Sequence, residues 1–135
     1  MNFTEITKQL TTWGDEHSQI EGVAIVGSYA NGQYKVDSDV DICIFTSVQM
    51  RFIENTEWAK NFGEIVHLAQ EKWGVVDTVR VFYRDGWELE FNFSSLSWAY
   101  IPVDTGTLKV VSEGFKILYD PTNCLNTLKN HVSQS

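Results

Sequence analysis

Phe3, Ile6, Leu10 and Trp13 recur at spacings of three and four, which predicts an amphipathic first helix running to Glu16 and packing on a sheet. From Gly22 to Val26 the chain is short, apolar and β-branched, and it halts at Gly27-Ser28, the pattern of a buried strand ending in a tight loop. Asp39 to Phe45 predicts a second strand, with Val40, Ile42 and Ile44 on one face and Asp39, Asp41 and Cys43 on the other. Between Asn55 and Trp73 the stripe Trp58, Phe62, Ile65, Val66 and Ala69 has helical spacing, and Gly74 stands where a C-terminal stop belongs, so a second long helix is expected there. His67 falls on that helix beside the apolar positions, as a packed or surface residue rather than a catalytic one.

Val75–Tyr83 and Trp87–Phe93 are strand-like runs joined through Arg84-Asp85-Gly86, and Asp-Gly is a strong signal for an antiparallel hairpin. Asp104 or Thr105 caps a short helix ending before Gly114, Phe115–Tyr119 forms a last strand closed by Asp120-Pro121, and Asn123–Asn130 forms a short helix. No internal repeat or linker interrupts this order. It predicts an α+β fold: one domain over residues 1–135, a mixed β-sheet with helices packed on it.

At 135 residues, 43% hydrophobic and 13% aromatic, the chain has the apolar surface a globular core requires. Eighteen acidic against ten basic residues give a net charge of −8. That field repels phosphate backbones, and the Lys and Arg residues form no basic stripe, so a nucleic-acid partner is not expected. The two cysteines, Cys43 and Cys124, lie far apart and outside any CxxC pattern, which argues against a zinc site or a disulfide scaffold. The N-terminus carries no basic-then-apolar leader, and no run reaches the roughly 18 apolar residues of a membrane span. A cytoplasmic protein without a membrane partner is expected.

The chemistry concentrates between Val26 and Ile42. Gly27 in a tight loop lets the backbone approach a ligand, its neighbours' N–H groups can face anionic oxygens, and Ser28 adds a hydroxyl, which together suit a phosphate cradle. Asp39 and Asp41 alternate along the next strand, so their carboxylates project from one face roughly 7 Å apart at the backbone and can converge on a metal pair. Lys35, between cradle and acids, is placed to neutralise a phosphate, although a lone loop lysine is usually solvated. Spacing removes two competitors. Asp37-Ser-Asp39-Val-Asp41 imitates a calcium loop but has Ile42 where Gly is required, and Gly27 to Lys35 lacks the Gly-Lys-Ser/Thr ending of a P-loop.

Gly-Ser-Tyr-Ala-Asn-Gly at 27–32 followed by Ser-Asp-Val-Asp at 38–41 resembles the DNA polymerase β-like nucleotidyltransferase superfamily, and within it the minimal and aminoglycoside nucleotidyltransferase branches. The specific motif spans Val26 to Phe45. The resemblance implies a third carboxylate on a later strand, where Glu88 and Glu90 share a face opposite Trp87, Leu89, Phe91 and Phe93. Glu90, deeper in the strand, is preferred; Glu88, near the hairpin, is expected to be solvated.

The implied function is magnesium-dependent transfer of AMP from a nucleoside triphosphate, ATP, to a hydroxyl acceptor. Asp39, Asp41 and Glu90 would hold two Mg²⁺ ions, for which Mn²⁺ can substitute, and Gly27 and Ser28 would orient the β- and γ-phosphates. The acceptor is expected to be a small molecule such as an aminoglycoside, or a protein side chain. Alternatives are an antitoxin of this type that modifies or binds a helical partner protein, and a silent binding module, which three mutually repelling carboxylates disfavour. Larger relatives add a helical domain over the cleft. This chain is too short for one, so a homodimer or partner protein is expected to wall the acceptor pocket, with Trp98 and Tyr100 as apolar anchors, as base-stacking groups or as core.

Overall fold

The computed structural model describes residues 2–35, 37–101 and 103–133. Helix α1 (Phe3–Glu16) is capped by Asn2, whose side chain accepts the Glu5 N–H, and it buries Ile6, Leu10 and Trp13 as its spacing predicts. Strand β1 (Ile20–Val26) leads through Gly27 into a single turn of helix, α2 (Ser28–Asn31), and then to strand β2 (Val40–Thr46). A short helix α3 (Gln49–Glu54) and a 3-10 turn (Glu57–Phe62) precede strands β3 (Ile65–Trp73), β4 (Val76–Tyr83) and β5 (Glu88–Ser94). A second 3-10 turn (Leu96–Ala99), helix α4 (Thr105–Glu113) capped by Asp104, strand β6 (Phe115–Tyr119) and helix α5 (Cys124–Ser133) complete the order.

The long helix expected over Asn55–Trp73 is corrected to the 3-10 turn and β3. Gly63, at φ 147°, breaks the apolar stripe after Phe62. Beyond it the chain pairs with β4 from Ile65↔Tyr83 to Trp73↔Val76. Gly74 does not stop a helix but turns a hairpin, at φ 61°, between Trp73 and Val76. The stripe misleads because β3 is an edge strand: Leu68 packs on the core while Val66 and Trp73 are exposed, so strand alternation is blurred. His67 accordingly lies on a strand, exposed and beside the Phe82 ring.

The six strands form one mixed sheet in the order β3-β4-β5-β2-β1-β6. Every neighbouring pair is antiparallel except β2 and β5, which run parallel. One face is closed by α1, α3 and the first 3-10 turn over Val23, Ile25, Ile42, Ile44, Val79, Val81, Leu89, Phe91 and Phe93. On the other face α4, α5 and the second 3-10 turn pack over Ala24, Phe45 and Phe115. Trp98 belongs to that packing, against Phe45 and Phe115, whereas Tyr100 is exposed. Among the described residues no helix is long and apolar enough to cross a membrane.

Phe91 lies fully buried with its ring against Trp13, Trp58 and Phe62, joining the sheet to α1 and the 3-10 turn. Phe91→Ala should therefore destabilise the fold by about 3–5 kcal/mol, the range for deleting a buried ring. Val75→Ala, on the exposed β3–β4 turn, should stay within about 0.5 kcal/mol. Urea unfolding of both variants checks the contrast.

Candidate active site

The pairing of β2 with its neighbours aligns one row of residues across the sheet. Arg80 lies opposite Glu90, Glu90 beside Asp41, and Asp41 beside Val26, the last residue before Gly27. Alternation along each strand sends these side chains away from Val40, Ile42, Leu89 and Phe91, which are buried under α1. Asp39, just ahead of β2, joins the row. Asp39, Asp41 and Glu90 each offer a carboxylate oxygen within 4.8 Å of the others, all half-buried.

Gly27 is in a conformation only glycine adopts readily, φ 73° and ψ −153°. A Cβ there would also stand 2.7 Å from Asp41 Oδ2, so the missing side chain is what lets the carboxylate lie against the loop. Ser28 opens α2, whose Ala30 and Asn31 N–H groups return to the Gly27 carbonyl. The Asn31 side chain donates to the Glu113 carbonyl and ties the loop to the end of α4. Lys35 is exposed and makes no ion pair among the described residues; its backbone N–H donates to Ser38 Oγ in the turn before Asp39.

Burial, and then crowding, raises the proton affinity of Asp41 and Glu90. Asp41 is pushed up to about 7, first by burial and then by the charges of Asp39 and Glu90, with Arg80 opposing. Glu90 is also raised, chiefly by burial and next by a hydrogen bond with Asp39, and Arg80 again opposes. Cys43, next along this face, has its thiol pushed up to about 12 by burial and by the Asp41 and Glu90 charges, which leaves it protonated and unreactive.

The structure sets Glu90, rather than Glu88, with the two aspartates. Glu88, nearer the hairpin, is the more exposed of the two glutamates, at 29% against 16% for Glu90, and its carboxylate lies 3.5 Å from Arg80 Nε. Arg80 itself escaped the sequence reading. Its guanidinium donates to Glu90 Oε2 at 3.0 Å and stands 3.5 Å from Glu71 on β3. The signal was available. A single charge interrupts Val79-Arg80-Val81, and counting outward from a turn at 84–86 places it opposite Glu90. Asn92, one row along, donates to the Ile42 carbonyl and accepts from Thr78 Oγ1, bracing β2, β5 and β4 beneath the acids. Beside the row a cleft of about 450 Å³ is lined by Tyr29, Asp37, Phe82, Asp85, Trp87 and Glu88.

A family model described as "Nucleotidyltransferase domain" matches residues 6–95, which carry the loop, both aspartates and Glu90. The chain belongs to the nucleotidyltransferase domain family. An aminoglycoside 6-adenyltransferase from Bacillus subtilis shares the fold of this nucleotidyltransferase domain at a TM-score of 0.59 and 17% identity, over 73% of this chain and 37% of that one. The chain thus spans little more than a third of that protein. A toxin-antitoxin structure with AMP-PNP aligns at a TM-score of 0.47 and 15% identity, over 99% of this chain and 86% of that one. A CCA-adding enzyme, apo form I, aligns at 0.44 and 19%, over 93% and 31%. No curated protein matches the nucleotidyltransferase chain.

The raised Asp41 gives the metal-free protein a definite pH dependence. An unfolded aspartate titrates near about 3.9, whereas folded Asp41 titrates at about 7, so ionisation penalises the folded form. The contribution is fully present below about pH 4 and lost as pH climbs through about 7. In EDTA, urea unfolding should show Asp41→Asn gaining stability over the wild type between pH 5 and pH 8. Parallel profiles would refute this.

Proposed function

We propose that this domain transfers AMP from ATP to a hydroxyl acceptor, with Asp39, Asp41 and Glu90 holding two magnesium ions. The observation that carries the reading is the convergence of those carboxylates beside Gly27. Burial, and then the charges of Asp39 and Glu90 within 4.8 Å, raises Asp41, a penalty that a divalent cation offsets. An all-carboxylate donor set suits the hard ions Mg²⁺ and Mn²⁺. When bound, such ions stabilise the negative charge that builds on the entering and leaving oxygens.

The protein's own groups supply position. Gly27 leaves room for the backbone to approach the triphosphate, Ser28 offers its hydroxyl to the β- and γ-phosphates, and Lys35 is the nearby loop cation for that tail. Glu90 orients the acceptor side, and Asp39 and Asp41 serve both sides. The acceptor oxygen bonds to the α-phosphorus as the bond to the bridging oxygen of the β-phosphate breaks, releasing pyrophosphate and the hydroxyl proton.

A small-molecule acceptor carrying amino groups, of the aminoglycoside kind, fits the adjoining cleft. Its Asp37, Asp85 and Glu88 carboxylates attract cations, and Tyr29, Phe82 and Trp87 give it aromatic walls. The shared fold with an aminoglycoside 6-adenyltransferase supports the same direction.

Pyrophosphate release from ATP and Mg²⁺, assayed against a panel of aminoglycosides, tests the proposal. Release that depends on acceptor and stops with EDTA is expected, and its absence with every acceptor and nucleoside triphosphate would sink it. Asp39→Asn and Asp41→Asn should each lose about 10²–10³-fold in rate, the scale of removing one preorganised electrostatic group. Glu90→Gln should abolish transfer while keeping most triphosphate binding, and Glu88→Gln should lose far less.

A further inference from the structure

Glu90 has neighbours of opposite sign. On one side it meets Asp39 and Asp41; on the other Arg80 Nη2 donates to its Oε2 at 3.0 Å. Arg80 is clamped in that place. It lies directly opposite Glu90 on β4, with Nη1 3.5 Å from Glu71 and Nε 3.5 Å from Glu88, and only 32% of its side chain is exposed. Its Nε makes no hydrogen bond, so the Glu88 contact is ionic and leaves the guanidinium anchored chiefly on Glu90. Among the described residues no other Lys or Arg pairs with the triad.

A guanidinium stays ionised at every working pH. A fixed unit cation against one member of a carboxylate cluster does two things. It holds that carboxylate in one orientation, and it repels any further cation brought to the cluster, the more so where water is partly excluded.

We propose that Arg80 is a positioning residue that orients Glu90 and holds down the affinity of the carboxylates for a divalent ion. The inference rests on Asp39, Asp41 and Glu90 being metal ligands.

Mn²⁺ binding to the whole chain, read by electron paramagnetic resonance of the free ion with and without a non-hydrolysable ATP analogue, tests it. Arg80→Gln should bind Mn²⁺ about tenfold more tightly than the wild type, the order expected for losing one partly screened charge. Arg80→Lys, which keeps the charge, should retain wild-type Mn²⁺ affinity. Arg80→Gln with unchanged or weaker Mn²⁺ binding and wild-type thermal stability would overturn the proposal. Should Arg80→Gln fail to fold, Glu71→Gln decides: with one clamp released, more of the guanidinium charge rests on Glu90, and Mn²⁺ alone should bind several-fold more weakly. No change in that variant would overturn the proposal too. A wild type that binds no Mn²⁺ with or without nucleotide removes the metal-site reading itself, whereas the variants speak only to Arg80.

Discussion

Asp41 and Glu90 stand side by side across the parallel β2–β5 pair, and the repulsion between them is the constraint around which this half of the molecule is arranged. β2 and β5 are far apart in sequence, so their pairing depends on the β3–β4–β5 hairpins folding back beside β2. The apolar faces of the same strands, Val40, Ile42, Leu89 and Phe91, supply the stabilisation by burying fully beneath α1 and its neighbours. The acids are thus carried into contact by a register that hydrophobic burial enforces. A slip of one residue would exchange Glu90 for Leu89 or Phe91 and expose the core face.

Around that contact each neighbour addresses either charge or space. Gly27 withdraws its side chain where a Cβ would strike Asp41 Oδ2. Arg80 supplies a positive charge on the far side of Glu90, and Glu71 and Glu88 keep it there. Asn92 and Thr78 satisfy each other beneath the acids, so the floor of the site is polar yet internally bonded. The remaining imbalance shows in the raised Asp41, a carboxyl that the fold alone does not keep ionised.

Much of this was legible in sequence because it rests on local periodicity. The alternation of Asp39-Val40-Asp41-Ile42 and of Glu88-Leu89-Glu90-Phe91 assigns faces without knowledge of the partner strand. Gly27 was read as a ligand-approach position; the structure adds that it makes room for Asp41, a non-local contact no spacing reveals. The segment from Asn55 to Trp73 failed for a related reason. Its residues fit a helical stripe as well as an edge strand, and only the long-range pairing with β4 decides between them. Arg80 was missed because a lone arginine in a strand carries no motif, although the hairpin that fixes its partner had been recognised.

The second face of the sheet divides into a covered and an open part, and that division determines what an incoming molecule meets. α4, α5 and the Leu96–Ala99 turn cover Ala24, Phe45 and Phe115, and Trp98 packs into this cluster instead of offering an apolar anchor. Tyr100, Ile101 and Leu108 remain exposed. Toward β5 and β4 the face presents Glu88, Glu90, Arg80 and the cleft walled by Asp37 and Asp85. A molecule approaching the carboxylates from that side meets charge and aromatic edges rather than a greasy surface. The groups presented there suit ionic and hydrogen-bonding contacts better than apolar ones.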